Sequence, residues 1–379
     1  MRQLRAVLLV LTAAVGLATG PRLIAQYQWD LPPGVAPPRV PADAPMTPTR
    51  VELGRHLFYD IRLSGNGTQS CATCHIQALA FTDGRAQGVG STGERHPRSA
   101  MSLVNVAYRD TLTWANPALP SLEAQALVPM FGTSPVELGL DGHEARVYAE
   151  LAGDPVYQRL FAAAFTTVDS PVTTENVALA LAAFERSIVS FRSPYDRYRF
   201  DGDRSALSQS ARRGLVLFFS RKARCGGCHL GHNVSLDLGL NLDGGSKTAT
   251  SPPDDPPVFM FHNTGLYNRP GPVPYPADNT GQYAHTGDID DVGRFRIPTL
   301  RNIAVTAPYM HDGSIAALNE VLDHYVAGGR APNPRQSASI RPFTLRDAER
   351  RDLIAFLLSL TDAELLDDPR WSDPWASYE

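Results

Sequence analysis

The chain has 379 residues, a formal net charge of -4, 43% hydrophobic residues and 20% charged ones. The length suits two domains rather than one, and the composition is that of a globular protein able to bury sizeable cores. The mild charge, with no Lys/Arg run, excludes a nucleic-acid-binding footprint, and 31 prolines with 30 glycines call for much ordered loop.

In chain order, Arg2 and Arg5 precede an apolar stretch over residues 6–18. That stretch is short for a membrane span and reads as the core of an export signal over residues 1–25, cut at the small residues around 18–20 or at Ala25. An uncleaved anchor is the alternative, and the only membrane contact the sequence offers. Residues 26–46, with Pro32, Pro33, Pro37, Pro38, Pro41 and Pro45, form an extended arm. A helix is expected from about Thr49, burying Val51, Leu53, Leu57 and Phe58, and a loop over 60–70 delivers Cys71-Ala-Thr-Cys74-His75.

Residues 76–143 read as loop with short helices. Over 174–190, Val177, Leu181, Phe184 and Ile188 form one apolar helical stripe, broken by Ser193-Pro194. A second pentapeptide, Cys225-Gly-Gly-Cys228-His229, follows. The Pro-, Gly- and Asp-rich insertion over 241–279 has no periodicity and reads as a functional surface loop. A helix over about 314–326 puts Leu318, Val321, Leu322 and Tyr325 on one face. A last one over 345–360, capped by Thr344 with Asp347 three residues on, buries Leu353, Ile354, Phe356, Leu357 and Leu360. The acidic tail from Asp367, with Trp371 and Trp375, has no assignable role.

Each C-x-x-C-H pentapeptide is the signature of covalent c-type haem attachment. Two thiols three positions apart form thioethers to the vinyl groups of one porphyrin, and the adjacent His75 or His229 swings beneath the ring as proximal ligand. Cys71, Cys74, Cys225 and Cys228 are all the cysteines of the chain, so disulfides are excluded. The competing reading, two zinc half-sites, lacks further Cys or His ligands close by. Gly54-x-x-Leu57-Phe58 before the first motif and Gly214-x-x-Leu217-Phe218 before the second point to two related haem domains, divided near Ser193-Pro194 into 47–195 and 196–379. The expected fold class is mainly α: two cytochrome c-like haem domains with long ordered loops and little sheet. Haem attachment to this motif takes place outside the bacterial cytoplasmic membrane, so cofactor and export signal agree on a periplasmic, Gram-negative type of location.

What each iron does depends on its sixth ligand, for which His, Met and Tyr are the candidates. The C-terminal segment offers the second haem Tyr309, Met310, His311, His324 and Tyr325. Tyr325 lies on the apolar stripe of its helix while His324 is rotated about 100° away, yet a plain core tyrosine is the commoner fate of such a residue. For the first haem the next histidines are His96 and His143; if neither ligates, the iron is open to a small oxidant such as hydrogen peroxide. Glu137, in the otherwise apolar Pro135-Val-Glu-Leu-Gly139, is then a candidate acid/base for O–O cleavage, against the ordinary reading as a surface carboxylate. Trp114, the lone tryptophan between the motifs, is a candidate electron relay or a core residue.

Together with Pro298-Thr-Leu-Arg-Asn302, Thr306-Ala-Pro-Tyr-Met-His311-Asp-Gly313 and the helix over 318–325 followed by Gly328-Gly329, the haem motifs resemble the bacterial di-haem cytochrome c peroxidase and MauG superfamily over residues 52–360. The resemblance implies the roles. Fourteen residues after His311, where typical peroxidases carry a Met ligand to the electron-transfer haem, stands Tyr325, as in MauG-like enzymes. Trp114 matches the inter-haem tryptophan and Glu137 the distal carboxylate. The removable His ligand of typical peroxidases is replaced by Ser91, with His96 beside Pro97-Arg98, which implies a permanently open, peroxidatic first haem in 47–195 and an electron-transfer haem in 196–379. Thr306 and Pro308 match the family's carbonyl ligands for calcium, while Ser99 stands in place of its Asn.

Residues 90–97, 112–117 and 122–130 look most similar to the MbnH group, which accompanies a partner protein, MbnP, in copper handling and converts a partner tryptophan to kynurenine with peroxide. The implied function is a periplasmic di-haem enzyme that shares the oxidising equivalents of hydrogen peroxide between its haems and modifies a tryptophan of an MbnP-like copper-binding partner. The alternatives are a di-haem cytochrome c peroxidase fed by a small cytochrome or cupredoxin, and an electron carrier with two closed haems.

Overall fold

A computed structural model describes residues 25–166, 171–229 and 260–376. The expected export signal, but for its last residue, lies outside the described residues, as does the insertion up to residue 259. The helices longer than one turn are α1 (Pro48–Tyr59), α2 (Leu122–Phe131), α3 (Glu144–Gly153), α4 (Pro155–Ala164), α5 (Thr174–Ser187), α6 (Pro194–Arg199), α7 (Gln209–Phe218), α8 (Leu318–Val326) and α9 (Asp347–Leu358). The one sheet among the described residues pairs β1 (Phe261–His262) antiparallel with β2 (Phe295–Arg296). The chain is mainly helical with little sheet, as expected.

Local chemistry sets the helix ends. Thr47 takes the Arg50 N–H on its hydroxyl at 3.1 Å, and Pro48, which has no N–H to leave unpaired, opens α1. Ser193-Pro194 starts a helix rather than stopping one. Ser193 caps α6, Pro194 is its first residue, and the Asp196 carboxylate takes the Ser193 N–H at 3.0 Å. The preceding helix, α5, has already ended at Ser187. The last helix begins later than its sequence signals suggest. Arg346, not Thr344, is its cap, because Glu349 reaches back to the Arg346 N–H at 2.8 Å.

Two helix pairs carry the architecture. In α1, a Cβ on Gly54 would lie 1.9 Å from the carbonyl oxygen of Ala180, so only glycine lets α1 and α5 approach this closely. Gly214 of α7 stands in the same relation to Asp352 of α9, again at 1.9 Å. Phe58 then meets Phe184 at 5.0 Å and Phe218 meets Phe356 at 5.1 Å. The glycine and phenylalanine of each G-x-x-L-F segment are therefore the contact between two equivalent helix pairs.

Two cores form. One gathers Leu53, Leu57 and Phe58 with Tyr157, Phe161, Leu181 and Phe184. The other gathers Leu207, Phe218, Leu322, Leu353, Phe356 and Leu360. The tail, expected with the second half, packs on the first. Trp371 is 3% exposed in the first core, its Nε1 donating to the Ser187 carbonyl at 3.1 Å. The Tyr59 hydroxyl donates to the Trp371 carbonyl at 2.6 Å, and Trp375 Nε1 to the His56 carbonyl at 3.1 Å.

Candidate functional site

The first motif begins as one helical turn, Cys71–Cys74, held by the Ser70 N–H donating to Thr73 Oγ1 at 3.0 Å. Ala80 and Phe81 follow with positive φ (50° and 60°), a costly backbone for non-glycine residues. That turn aims the Phe81 carbonyl at His75 Nδ1, 2.8 Å away. With Nδ1–H donating there, Nε2 keeps its lone pair, the arrangement typical of a metal-ligating histidine. Burial pushes the pKa of His75 down, so the imidazole is neutral and competent to ligate. Burial pushes the Cys74 thiol up to about 11 and Cys71 further. Each motif holds one pair of cysteines, none of them in a disulfide. Thiol pairs with adjacent histidines fit covalent c-type haem at each motif. The second motif repeats the setting: Phe218 lies 6.3 Å from His229, as Phe58 lies 6.4 Å from His75.

Glu137 and His96 come together beside the first motif. Gly90 allows the two loops to touch, since a Cβ there would lie 1.8 Å from the Val136 carbonyl oxygen. The Ser91 N–H donates to the Glu137 carbonyl at 2.7 Å, and the Val136 N–H to Glu94 Oε2 at 2.9 Å. Glu137 Oε1 then lies 3.9 Å from His96 Nε2. Burial pushes the Glu137 carboxyl above its usual range. Its charge bears on Cys71 and Cys74, which places it at the first motif. Burial, with Arg98 beside it, brings His96 down to about 4. Its Nδ1 accepts the Arg98 N–H at 3.3 Å, so the Nε2–H faces Glu137.

At the second motif, Tyr325 is half-buried beside Cys228 and Cys225, and burial raises its phenol pKa. Among the described residues nothing hydrogen-bonds its hydroxyl. His324 departs from the helical-wheel expectation. It is 3% exposed, with Nδ1 accepting the Arg330 N–H at 3.0 Å. The chain after α8 folds back over it, which the stripe of α8 alone does not reveal.

Trp114 sits in a cleft shared by the two halves, with Asp83, Arg85, Ser99, Arg296, Thr306 and Pro308 among its walls. Its Nε1 donates to the Ser99 carbonyl at 2.9 Å, and its own carbonyl accepts the Arg296 N–H at 2.8 Å. The Ser99 hydroxyl points at the Met310 carbonyl, 3.3 Å away. Among the described residues no cluster of three or more His, Cys, Asp or Glu side chains forms a metal site. Two residues of this neighbourhood escaped the sequence reading, Tyr267 and Tyr275. The signal was present: Tyr267, Tyr275 and Tyr283 recur eight residues apart in a segment otherwise rich in Pro, Gly and Asp.

Residues 48–205 match the family model described as di-haem cytochrome c peroxidase. Cytochrome-c peroxidase IdrP1 of Denitromonas iodatirespirans is 38% identical over 349 residues, covering 89% of this chain and 89% of that protein. Methylamine utilization protein MauG of Methylorubrum extorquens is 35% identical over 84% of this chain and 80% of its own length. Among solved structures, a MauG-like protein associated with microbial copper homeostasis is 45% identical, with a TM-score of 0.84, over 92% of this chain and 99% of that one. With two haem-attachment motifs on a duplicated helical frame and relatives spanning most of its length, the chain belongs to the di-haem cytochrome c peroxidase and MauG family: it is a haem-dependent oxidoreductase that carries two c-type haems and uses peroxide.

Proposed function

We propose that this enzyme uses hydrogen peroxide to oxidise a tryptophan of a partner protein, in the manner of the MbnH group, and that the partner is an MbnP-like protein of copper handling. The observation that carries the reading is Tyr325 beside Cys225 and Cys228. A phenolate favours oxidised over reduced iron, where a Met sulfur does the opposite. The likeness to a MauG-like protein associated with copper homeostasis supports the copper link. The basic and apolar N-terminus supports export to the periplasm; no helix of the described residues is long and apolar enough to cross a membrane.

When bound, the haems activate peroxide and hold its oxidising equivalents. The chain does the rest. His75 and His229 would hold the two irons through their imidazole nitrogens. Glu137 takes the proton from the nearer peroxide oxygen and returns it to the departing one. Tyr325 would supply a phenolate oxygen to the second iron, and Trp114 would pass electrons across the cleft. Thr306 and Pro308 match the family's carbonyl positions for calcium by sequence alone; the Ser99 hydroxyl is turned to the Met310 carbonyl, and no step is routed through an ion there.

A second reading has its own support in the relatives named cytochrome-c peroxidase: reduction of peroxide with electrons from a small cytochrome or cupredoxin. One experiment separates the two. The diferric protein is mixed with stoichiometric peroxide and no reductant, and followed in the visible and near-infrared. A long-lived product with a new near-infrared band is expected, lost in Tyr325→Met, which should gain a reducible second haem. No reaction until one haem is pre-reduced would establish the peroxidase reading instead.

A further inference from the structure

Trp114 is one end of a file of aromatic rings. Its centroid lies 6.5 Å from that of His311, which stacks on Phe295 at 3.5 Å and lies 6.3 Å from Tyr275. Tyr275 meets Tyr267 edge-on at 5.5 Å. Trp114 and Tyr267 both pack on one small apolar cluster that includes Tyr275 and Phe295. Gly293, at φ +75°, makes the seat for Tyr275, since a Cβ there would lie 2.2 Å from Tyr275 Cε2. The file runs from the cleft shared by the two halves to the surface: Tyr267 is half-buried, and Asn268 and Arg269 after it are exposed.

The two tyrosines differ in what takes their protons. The Tyr275 hydroxyl donates to the amide oxygen of Asn263 at 3.0 Å, which is no base. The Tyr267 hydroxyl donates to the Asp312 carboxylate. Burial opposes ionisation of Asp312, but His311, Tyr267 and Ser314 outweigh it and hold the carboxyl below its usual range, so it stands ionised as the acceptor of the Tyr267 hydrogen bond. The guanidinium groups of Arg269 and Arg330 lie 5.7 and 5.9 Å from the Tyr267 ring centroid. Two cations against the ring oppose positive charge on it, so oxidation of Tyr267 requires its proton to leave.

We infer that Tyr267, paired with Asp312, is the port through which an oxidising equivalent at Trp114 reaches an aromatic acceptor outside the protein, with Tyr275 as the ring between. The inference rests on the protein-oxidising function proposed above. In each passage oxidised Trp114 takes one electron from Tyr267 by way of Tyr275. The Tyr267 O–H bond breaks, its proton goes to Asp312, and a neutral tyrosyl radical remains. An indole of the acceptor gives one electron to that radical, Asp312 returns the proton, the O–H bond re-forms, and the acceptor is left oxidised by one electron. Peroxide supplies two oxidising equivalents, so two passages complete a turnover.

The test is freeze-quench EPR of the diferric holo-protein with one equivalent of hydrogen peroxide and no reductant. A parallel sample is quenched with a nitroso spin trap and mapped by peptide mass spectrometry. A tyrosyl signal and a trap adduct on Tyr267 are expected. Both should vanish in Tyr267→Phe, which keeps the ring and its packing. The tyrosyl signal should also be lost in Asp312→Asn, and Tyr267→Trp should show a tryptophanyl signal instead. An unchanged signal in Tyr267→Phe overturns the proposal, as does an adduct confined to Tyr283, the other half-buried tyrosine on the same cluster. Wild-type protein that ignores peroxide until pre-reduced overturns the proposed function and takes the port with it. A protein that reacts but never oxidises Tyr267 overturns the port alone.

Discussion

In the first half, Asn105 stands at φ 55°, its N–H donating to the Ile188 carbonyl and its Oδ1 accepting the Ser190 N–H. In the second half, Asn302 stands at φ 59°, its N–H donating to the Leu360 carbonyl and its Oδ1 accepting the Asp362 N–H. Ser187 and Ser359 each donate to the carbonyl three residues back, both at 2.6 Å. With the glycine and phenylalanine contacts, these pairs make α1 and α5 the counterparts of α7 and α9. The halves diverge in what they set beside each haem motif. The first brings His96 and the carboxyl of Glu137; the second brings Tyr325. Under the proposed function, one frame would thus carry an acid/base pair in one half and an oxygen ligand in the other, dividing peroxide activation from electron transfer.

The largest expected effect breaks that division at Glu137. Glu137→Gln should slow reaction of the diferric protein with peroxide by about a hundredfold or more, measured by stopped-flow absorbance, with the spectrum of the second haem unchanged. The wild-type rate should also fall as the pH drops through the carboxyl's value, which burial sets above the usual range, because the protonated acid cannot take the peroxide proton. The Gln variant should be flat over the same window. A wild-type profile as flat as the variant's would remove Glu137 from the step.

A smaller effect tests whether the two frames are equivalent. Gly54→Ala and Gly214→Ala each push a methyl group into a carbonyl 1.9 Å away. Alanine favours a helix over glycine by about 1 kcal/mol, but overpacking against backbone costs about 1–3 kcal/mol, and here no flexible side chain can yield. Both variants should lose stability by similar amounts in denaturant titrations of the holo-protein. Destabilisation by only one would show that the halves are not built on the same contact.

Much of this frame was legible in the sequence, though not all of it was read. The haem motifs and G-x-x-L-F segments announce themselves because chemistry and close packing tolerate few substitutes. The second element of each half repeats as Ala183-Phe184-x-x-Ser187 and Ala355-Phe356-x-x-Ser359, a similarity that only the shared contacts make meaningful. Other features have no local signature. His324 is buried by a loop returning from beyond its own helix. Trp371 fills the core of the half to which its sequence position does not belong. His96 and Glu137 meet through a glycine whose need for bareness lies in another loop. Such facts are tertiary, and periodicity carries no information about them.

The smallest effect sharpens the comparison at one equivalent position. Counting on from Phe184 and Phe356, Glu185 corresponds to Leu357, and both are buried, 6% and 7% exposed. The first half therefore buries a carboxyl, with Oε2 unpartnered among the described residues, where the second buries a leucine. Burial, against the pull of Arg186, pushes Glu185 up to about 8. A carboxyl raised in the folded state favours folding while protonated. Its contribution is present below the ordinary value of 4.5 and is lost as the pH climbs towards about 8. Glu185→Leu should therefore leave stability near pH 5 little changed and raise it by about 1 kcal/mol at pH 8, flattening the pH dependence in that window. Urea titrations of wild type and variant at the two pH values measure it. A gain equal at both would mean that leucine packs better there and that the charge of Glu185 is not what sets the first core apart from the second.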